Sequence, residues 1–150
     1  MKSAIVRHIK EKAKAQWLEK WRKGTKTAAN LQRLKIQRGA KIGPKLYNNM
    51  VRKNAAQLVQ LRTGHCRLNN YLHRHGHSQT PYCKCRVGKE TVEHYLMECR
   101  KYKKERRNMQ QEIKKKTGKW RISMIKLLRD PEIVKLIMKF INETGRMDQI

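Results

Sequence analysis

The chain has 150 residues, of which 38 are Lys or Arg and 11 are Asp or Glu, so its formal net charge is +27. Such a surplus of positive charge opposes compaction of the chain and favours a polyanionic partner. Nucleic acid is the expected partner, and an anionic membrane surface is the alternative. The only acids before residue 82 are Glu11 and Glu19, which excludes from that half the carboxylate cluster that two-metal nucleases and polymerases need. With no apolar leader and no run of about 18 apolar residues, we expect an intracellular, nuclear protein without membrane contact.

The sequence predicts three segments: an N-terminal helix with a basic connector (1–44), a central helical metal-binding module (45–116) and a helical tail that packs on it (117–150). Ser3 can cap a first helix that runs to about Lys23, where Gly24 ends it. Apolar residues recur at every fourth position of this helix, and its two tryptophans are expected to be core anchors rather than base-stacking platforms. These residues are Ile5, Ile9, Ala13, Trp17 and Trp21. A loose connector follows, with a short helix near 31–36.

The central segment begins with a stronger helical signal, because Pro44 suits a first helical turn and Gly64 suits a C-terminal stop. A shorter helix follows and ends at Gly76. Thr91 can cap the next helix, and a very basic helix over 100–116 ends at Gly118. The expected apolar positions of these helices are Leu46, Met50, Leu58, Leu61, Leu68, Tyr71, Leu72, Val92, Leu96, Met97, Tyr102, Met109 and Ile113.

The tail has the clearest helix boundaries in the chain. A short apolar helix is predicted over 123–129, and Asp130 followed by Pro131 restarts the chain as a last helix that ends at Gly145. This last helix has a wide apolar face made of Ile133, Val134, Ile137, Met138, Phe140 and Ile141. Because no apolar alternation is long enough for a sheet, we predict an all-α fold with a small irregular turn at the cysteines.

Four residues, Cys83, Cys85, His94 and Cys99, form the pattern C-x-C-x8-H-x4-C. Three thiolates and one imidazole are a complete tetrahedral set for one zinc ion, and such closed sites are structural rather than catalytic. The single residue between the paired cysteines is fewer than the usual two to four. The alternative is a set of unrelated thiols with a separate histidine.

Other cysteines and histidines leave the ligand set open to competition. His73, His75 and His77 lie just upstream of the cysteines and could compete for the metal, although His94 is preferred because it shares a helix with Cys99. We expect the upstream histidines to flank a basic surface and the odd thiol, Cys66, to have a packing role.

Basic residues are densest over 100–107 and 114–116. A charged run is usually a solvated helix face, but the global surplus favours phosphate contacts, which supply affinity without base selectivity. Aromatic residues are 6% of the chain, too few for a base-stacking sheet. The expected nucleic-acid contacts are Arg62, Arg67, Arg74, Lys84, Arg100, Lys101, Lys103, Lys104, Arg106 and Arg107.

Several spaced motifs resemble the tail of non-LTR retrotransposon polyproteins, particularly fungal ones. They are L-R-T-G-H (61–65), L-N-N-Y-L (68–72), C-K-C (83–85) and E-T-V-E-H-Y-L-M-E-C (90–99). Residues 15–48 resemble the linker that follows the RNase H core in that family, and 127–146 resembles its terminal helices. A glycine is expected directly after the second cysteine of this family, where this chain has Arg86.

The resemblance implies a nucleic-acid-binding accessory domain that helps a parent polyprotein engage RNA or DNA. Its zinc ligands carry over to the four Cys and His residues, whereas its reverse transcriptase and RNase H carboxylates have no counterpart, so we expect no enzyme and no small-molecule substrate. A residual nuclease would have only Glu90, Glu93 and Glu98 near the metal. The other alternative is an inert or protein-interaction remnant of a truncated polyprotein, with the apolar face of the last helix sitting against its parent.

Overall fold

The computed structural model describes residues 2–24, 26–34, 46–47 and 50–148, and the bounds below refer to those ranges. In chain order the helical elements are α1 (Lys2–Arg22), α2 (Lys26–Arg33), α3 (Arg52–Thr63), α4 (Asn69–Arg74), a π-helical turn (His94–Glu98), a 3-10 turn (Arg100–Tyr102), α5 (Lys103–Thr117), α6 (Met124–Arg129) and α7 (Pro131–Thr144). The described part contains no strand and has one isolated antiparallel bridge, between Tyr82 and Lys89. The predicted all-α class is confirmed.

The predicted helix boundaries of the second half are confirmed by their capping contacts. The Ser123 side chain accepts a hydrogen bond from the Lys126 N–H, and Asp130 Oδ1 accepts one from the Glu132 N–H at 3.1 Å. Gly118 ends α5 with φ 72°, a left-handed conformation that glycine adopts without a Cβ clash. These caps satisfy backbone groups that would otherwise lack partners at the helix ends.

The core lies where α7 packs on α5 and α6. α6 also contacts α3, which in turn contacts α2. The six apolar residues predicted for the face of α7 are all buried. At the centre, the Tyr95 ring lies 5.4 Å from Tyr102 and 5.3 Å from Phe140, measured between ring centroids, so aromatic contacts anchor the π-helical turn to the 3-10 turn and to α7.

The first helix does not have the buried face that was predicted for it. Ile5 and Ile9 are 60% and 59% exposed, and Ser3 lies inside the first turn instead of capping it. Four residues turn an α-helix through about 400°, so each step drifts by about 40° and five positions spread over roughly 160° of the helix surface. A spacing of four therefore produced no single apolar stripe on this lysine-rich helix.

The two tryptophans of α1 are half-buried and stack on each other, which corrects their predicted role as core anchors. The rings of Trp17 and Trp21 have their centroids 5.5 Å apart and an interplanar angle of 18°. The Trp21 carbonyl accepts a hydrogen bond from Gln32 Nε2 at 2.6 Å, which ties the end of α1 to α2.

The helix predicted to run from Pro44 to Gly64 is interrupted at Met50 and Val51, and α3 begins at Arg52. Met50 lies in a bend in which its N–H donates to the Tyr47 carbonyl at 3.0 Å, and Val51 is extended with ψ 146°. Met50 and Val51 are therefore non-helical residues between the helical residues Leu46 and Tyr47 and the start of α3. Pro44 lies outside the described residues, as does much of the helix predicted at 31–36, where α2 ends at Arg33.

No helix within the described ranges is long and apolar enough to cross a lipid bilayer.

Candidate metal centre

The four predicted ligands converge on one point. One donor atom from each of Cys83, Cys85, His94 and Cys99 lies within 4.8 Å of the other three, which is close enough for all four to bind one metal ion. The Sγ atoms of Cys83 and Cys99 are 3.5 Å apart, and Cys85 Sγ lies 3.2 Å from His94 Nε2. Cys83, Cys99 and His94 are buried, whereas Cys85 is half-buried.

A short hairpin over 81–90 presents the paired cysteines. The Cys83 N–H donates to the Gly88 carbonyl and the Glu90 N–H donates to the Pro81 carbonyl, both at 2.9 Å. Between these bonds the chain turns tightly, with the Arg86 N–H bonded to the Cys83 carbonyl. The Cys85 N–H also points at Cys83 Sγ, 3.5 Å away, so a single intervening residue is enough to bring both thiols to one side.

Arg86 adopts a conformation that normally belongs to glycine. Its φ is 62°, and it is the sole described residue other than glycine with a positive φ. The left-handed region costs a side-chain-bearing residue roughly 1–2 kcal/mol. The turn therefore has the geometry that a glycine after the second cysteine would provide, and the chain reaches it with an arginine under strain.

The histidine and the last cysteine are brought together by the π-helical turn. Thr91 caps this segment as predicted, because its Oγ1 accepts a hydrogen bond from the His94 N–H at 3.1 Å. In a regular α-helix, residues five apart point about 140° away from each other. Here the Cys99 N–H bonds to the His94 carbonyl at 2.8 Å, and Cys99 leaves the helix with ψ 121°. The wider turn lets both side chains face the same point.

The two nitrogens of His94 have different neighbours. Nε2 faces the thiols, whereas Nδ1 lies 3.5 Å from Oε2 of Glu98, four residues further along. A metal on Nε2 leaves the ring proton on Nδ1, facing this carboxylate, which is the usual outer-shell arrangement of a ligating histidine. This contact was not predicted from the sequence, although the spacing of four residues between His94 and Glu98 is a local signal for it.

The thiols do not ionise equally. Burial raises the pKa of Cys83 to about 12 and also raises the pKa of Cys99. Desolvation acts in the same direction on Cys85, but hydrogen bonds from the Val87 N–H and the neighbouring thiols and His94 outweigh it and lower the pKa of Cys85 to about 6. Cys85 therefore ionises more readily than Cys83 and Cys99, and bringing all three thiols to the thiolate form, as metal binding does, needs positive charge nearby.

A buried arginine supplies part of that positive charge. Arg106 is 6% exposed, and its Nη2 donates to the carbonyl of the ligand Cys99. Its Nη1 is buried and has no hydrogen-bond partner among the described residues. Desolvation lowers the pKa of Arg106, and the charges of Cys99 and other nearby acidic groups oppose that shift. Arg106 therefore places a buried positive charge beside the donor set, where it would favour the thiolate form that a metal requires.

A buried ion pair that was not predicted from the sequence ties the hairpin to the end of α7. Arg146 donates from Nε and Nη2 to the two carboxylate oxygens of Glu90 at 2.9 and 2.6 Å. Glu90 also accepts from the Asn69 N–H at 2.7 Å, and its Oε1 lies 3.9 Å from Cys83 Sγ. The ion pair raises the pKa of Arg146 through hydrogen bonding to Glu90, which outweighs desolvation. The chain offers no short-range signal for a pairing between residues so far apart in sequence.

The remaining predicted residues divide into exposed and buried groups. Arg62 and Arg106 are 7% and 6% exposed, so they are not phosphate contacts, which corrects that expectation. Arg62 is held inside by bonds from Nε and Nη2 to the Leu128 carbonyl and from Nη1 to the Tyr47 hydroxyl. The exposed cations are Arg67, Arg74, Lys84, Arg100, Lys101, Lys103, Lys104 and Arg107.

The upstream histidines do not join the metal cluster. His73, His75 and His77 are exposed, with His73 Nδ1 3.0 Å from the Ser78 carbonyl and the His75 ring 4.4 Å from that of Tyr71. The remaining thiol, Cys66, is buried away from the cluster, and burial raises its pKa to about 11.

No protein-family model matches the chain, and no curated protein or solved structure is similar to it. The resemblance to retrotransposon polyproteins therefore stays a prediction that rests on sequence motifs. The features that bear on function are the four donors, the buried ion pair and the exposed cations.

Replacing the strained arginine should stabilise the hairpin. We expect Arg86→Gly to raise the free energy of unfolding of the metal-loaded protein by up to about 1 kcal/mol, because the relief of left-handed strain exceeds the extra chain entropy of glycine. Lys84→Gly, in the same turn but without a positive φ, should lower it by roughly 0.5–1 kcal/mol. Urea unfolding curves give the free energy of unfolding of both variants. An equal decrease in both would contradict the claim that Arg86 is strained.

Breaking the buried ion pair should cost far more than breaking an exposed one. Arg146→Met leaves the Glu90 carboxylate buried without its cation, which should lower the free energy of unfolding by about 3 kcal/mol. In the matched control, Lys23→Met removes the exposed pair with Glu19 and should change little. Adding Glu90→Gln to Arg146→Met should recover part of that stability in urea unfolding. If Arg146→Met unfolded like the control, the pair would not support the hairpin.

Proposed function

We propose that this chain is a zinc-stabilised nucleic-acid-binding module that holds RNA or DNA mainly through phosphate contacts, as an accessory segment of a retrotransposon-type polyprotein. The observation that carries this proposal is the convergence of three thiols and one imidazole within a chain whose formal net charge is +27. The role is structural for the metal and electrostatic for the surface. No catalytic residue is assigned.

Zinc is the ion that best suits these donors. It accepts three sulfurs and one nitrogen in a tetrahedral set and has no geometric preference from its d-electrons. Three thiolates and a neutral imidazole around a divalent ion leave one net negative charge. The buried guanidinium of Arg106 beside Cys99 is well placed to balance that charge. All four positions are taken by the protein, so the ion would carry no reactive water.

The exposed cations support nucleic acid as the partner. Within the described residues none of the eight exposed cations named above forms an ion pair with a carboxylate. Lys84 lies between two ligands, and Arg100 and Lys101 directly follow Cys99, so several of them surround the metal centre. Lys103, Lys104 and Arg107 continue this positive surface along the first turns of α5. Unpaired cations at this density favour phosphate groups.

The acids nearest the metal do not resemble a nuclease site. Glu90 is occupied by Arg146, and Glu98 faces His94 Nδ1. This arrangement supports a binding role over a residual nuclease.

Native protein should contain one zinc per chain, measured by native mass spectrometry. Zinc binding supplies roughly 10–16 kcal/mol in small zinc-finger peptides, which is comparable to the whole stability of a domain. Cys83→Ser with Cys85→Ser should therefore lose the zinc and unfold the hairpin and π-helical turn. The control is Cys66→Ser, which lies outside the cluster and should keep one zinc. Metal-free protein with unchanged circular dichroism and melting would refute the structural role.

Affinity for oligonucleotides of unrelated sequence should fall steeply with salt. Replacing Lys101, Lys103, Lys104 and Arg107 with Gln should reduce the slope of log K against log salt by about one for each phosphate that the variant no longer neutralises. The matched control replaces four exposed lysines that already pair with carboxylates by Gln. They are Lys53, Lys115, Lys135 and Lys139. Fluorescence anisotropy with labelled RNA and DNA measures both slopes. An equal reduction in the control would show that net charge alone, and not this surface, drives binding.

A second candidate function, interaction with a parent protein, is favoured by a different helix from the one expected. The apolar face of α7, which was expected to sit against a partner, is buried by α5 and α6 of the same chain. The exposed apolar residues of α1, including Ile5, Val6 and Ile9, favour a protein contact there instead.

A further inference from the structure

We propose that Trp120 stacks on an unpaired nucleobase, so that the module distinguishes single-stranded from fully paired nucleic acid. This inference rests on the proposed nucleic-acid binding and adds to it a contact that phosphate recognition does not supply. Trp120 is the largest side chain in the segment between α5 and α6, and 49% of it is exposed. It belongs to neither the metal centre nor the two-ring stack of α1.

Trp120 directly follows a hydrogen-bonded turn. Gly118 ends α5, and its N–H donates to the Lys114 carbonyl at 2.7 Å. Thr117 Oγ1 accepts a hydrogen bond from the Lys119 N–H and donates one to the Ile113 carbonyl. These bonds fix the backbone immediately before Trp120, so this part of the segment has less conformational freedom to lose on binding.

One cation contacts the ring and two more flank Trp120 in the chain. Lys114 Nζ lies 4.6 Å from the indole centroid, a cation–π contact. Lys119 and Arg121, on either side of Trp120 in the chain, are exposed. Among the described residues no carboxylate forms an ion pair with any of these three cations, whereas the neighbouring Lys115 and Lys116 are both paired with glutamates.

An aromatic ring with three such cations is the combination that binds single strands. A base can stack on an exposed indole whatever its identity, while neighbouring ammonium and guanidinium groups contact the adjacent phosphates. A duplex keeps its bases stacked on each other and offers only phosphates to the same surface. The cations without carboxylate partners next to Trp120 favour a nucleotide over an apolar protein surface as the partner.

The test uses the full chain with zinc bound and a single change at the ring. Trp120→Ala should weaken binding of a short single-stranded oligonucleotide by about five-fold or more, with the salt slope unchanged. Binding of a duplex of the same length should change by less than about two-fold, because stacking contributes nothing there. Trp120→Phe should keep most of the affinity, and Trp120→Leu, which is apolar but lacks a π face, should weaken binding as much as the alanine variant does. Melting temperatures equal to that of the parent show that folding is intact.

A direct readout comes from fluorescence. In a Trp17→Phe, Trp21→Phe background Trp120 is the remaining tryptophan, and a single strand should quench its emission while a duplex leaves it nearly unchanged. If that double variant does not fold, the quenching of the parent protein is compared with that of Trp120→Phe, and the difference between them is the contribution of Trp120.

The outcomes separate the two proposals. A parent protein that binds neither single strands nor duplexes overturns both of them. A parent that binds both, with Trp120→Ala binding single strands as tightly as the parent, overturns the stacking role alone. Equal weakening of single-strand and duplex binding would also overturn it, because it would assign Trp120 to the general surface.

Discussion

Three thiols and an imidazole within 4.8 Å of each other are the constraint on which this structure depends. Burial opposes the ionisation of Cys83 and Cys99, so the cluster is stable in its ionised form only if positive charge is brought to it. Arg106 contributes one such charge from α5, beside Cys99. A metal ion bound by the four donors would supply the remainder. The hairpin and the π-helical turn bring the four donors together, and the first turn of α5 places Arg106 beside them.

The metal centre and the hydrophobic core are not separate parts of the molecule. Cys83 and Cys99 lie in the same buried cluster as Tyr95 and Phe140. Tyr95 follows the ligand His94 directly, and its hydroxyl is 2.6 Å from the Thr144 hydroxyl at the end of α7. Two residues later, Arg146 reaches Glu90 on the hairpin. A substitution of a ligand should therefore also destabilise α7. A substitution at the end of α7 should likewise disturb the arrangement of the ligands.

The sequence was informative wherever the signal is local. Ligand spacing, the Thr91, Ser123 and Asp130 caps and the apolar face of α7 all depend on residues within a few positions, and each is confirmed. The sequence-based prediction was wrong where burial depends on which segment packs against a helix, as for α1. It was also wrong about which of the many arginines are buried. Arg62 and Arg106 look like surface cations in the sequence, but each donates to a carbonyl of another segment in the interior.

The long-range pairing of Glu90 with Arg146 could not have been predicted from patterns in one sequence. Nothing in its spacing or composition distinguishes this pair from the other pairs of opposite charge that the chain could form. The strain at Arg86 lies between these cases. The resemblance to retrotransposon polyproteins implied a glycine directly after the second cysteine, and Arg86 has at that position the positive φ that glycine adopts without strain.

The π-helical turn also restricts how the length of this segment can vary. A turn closed from Cys99 back to His94 contains one more residue than an α-helical turn, so it amounts to an insertion that the helix has absorbed. Deleting one residue inside it would restore regular hydrogen bonding, but Cys99 and the residues that follow would move one position closer to His94 and Tyr95 along the backbone. Tyr102 and Arg106 would then leave the positions from which they reach the core and Cys99. We therefore expect this segment to tolerate substitutions more readily than insertions or deletions, because the number of residues in the π-helical turn determines where α5 begins.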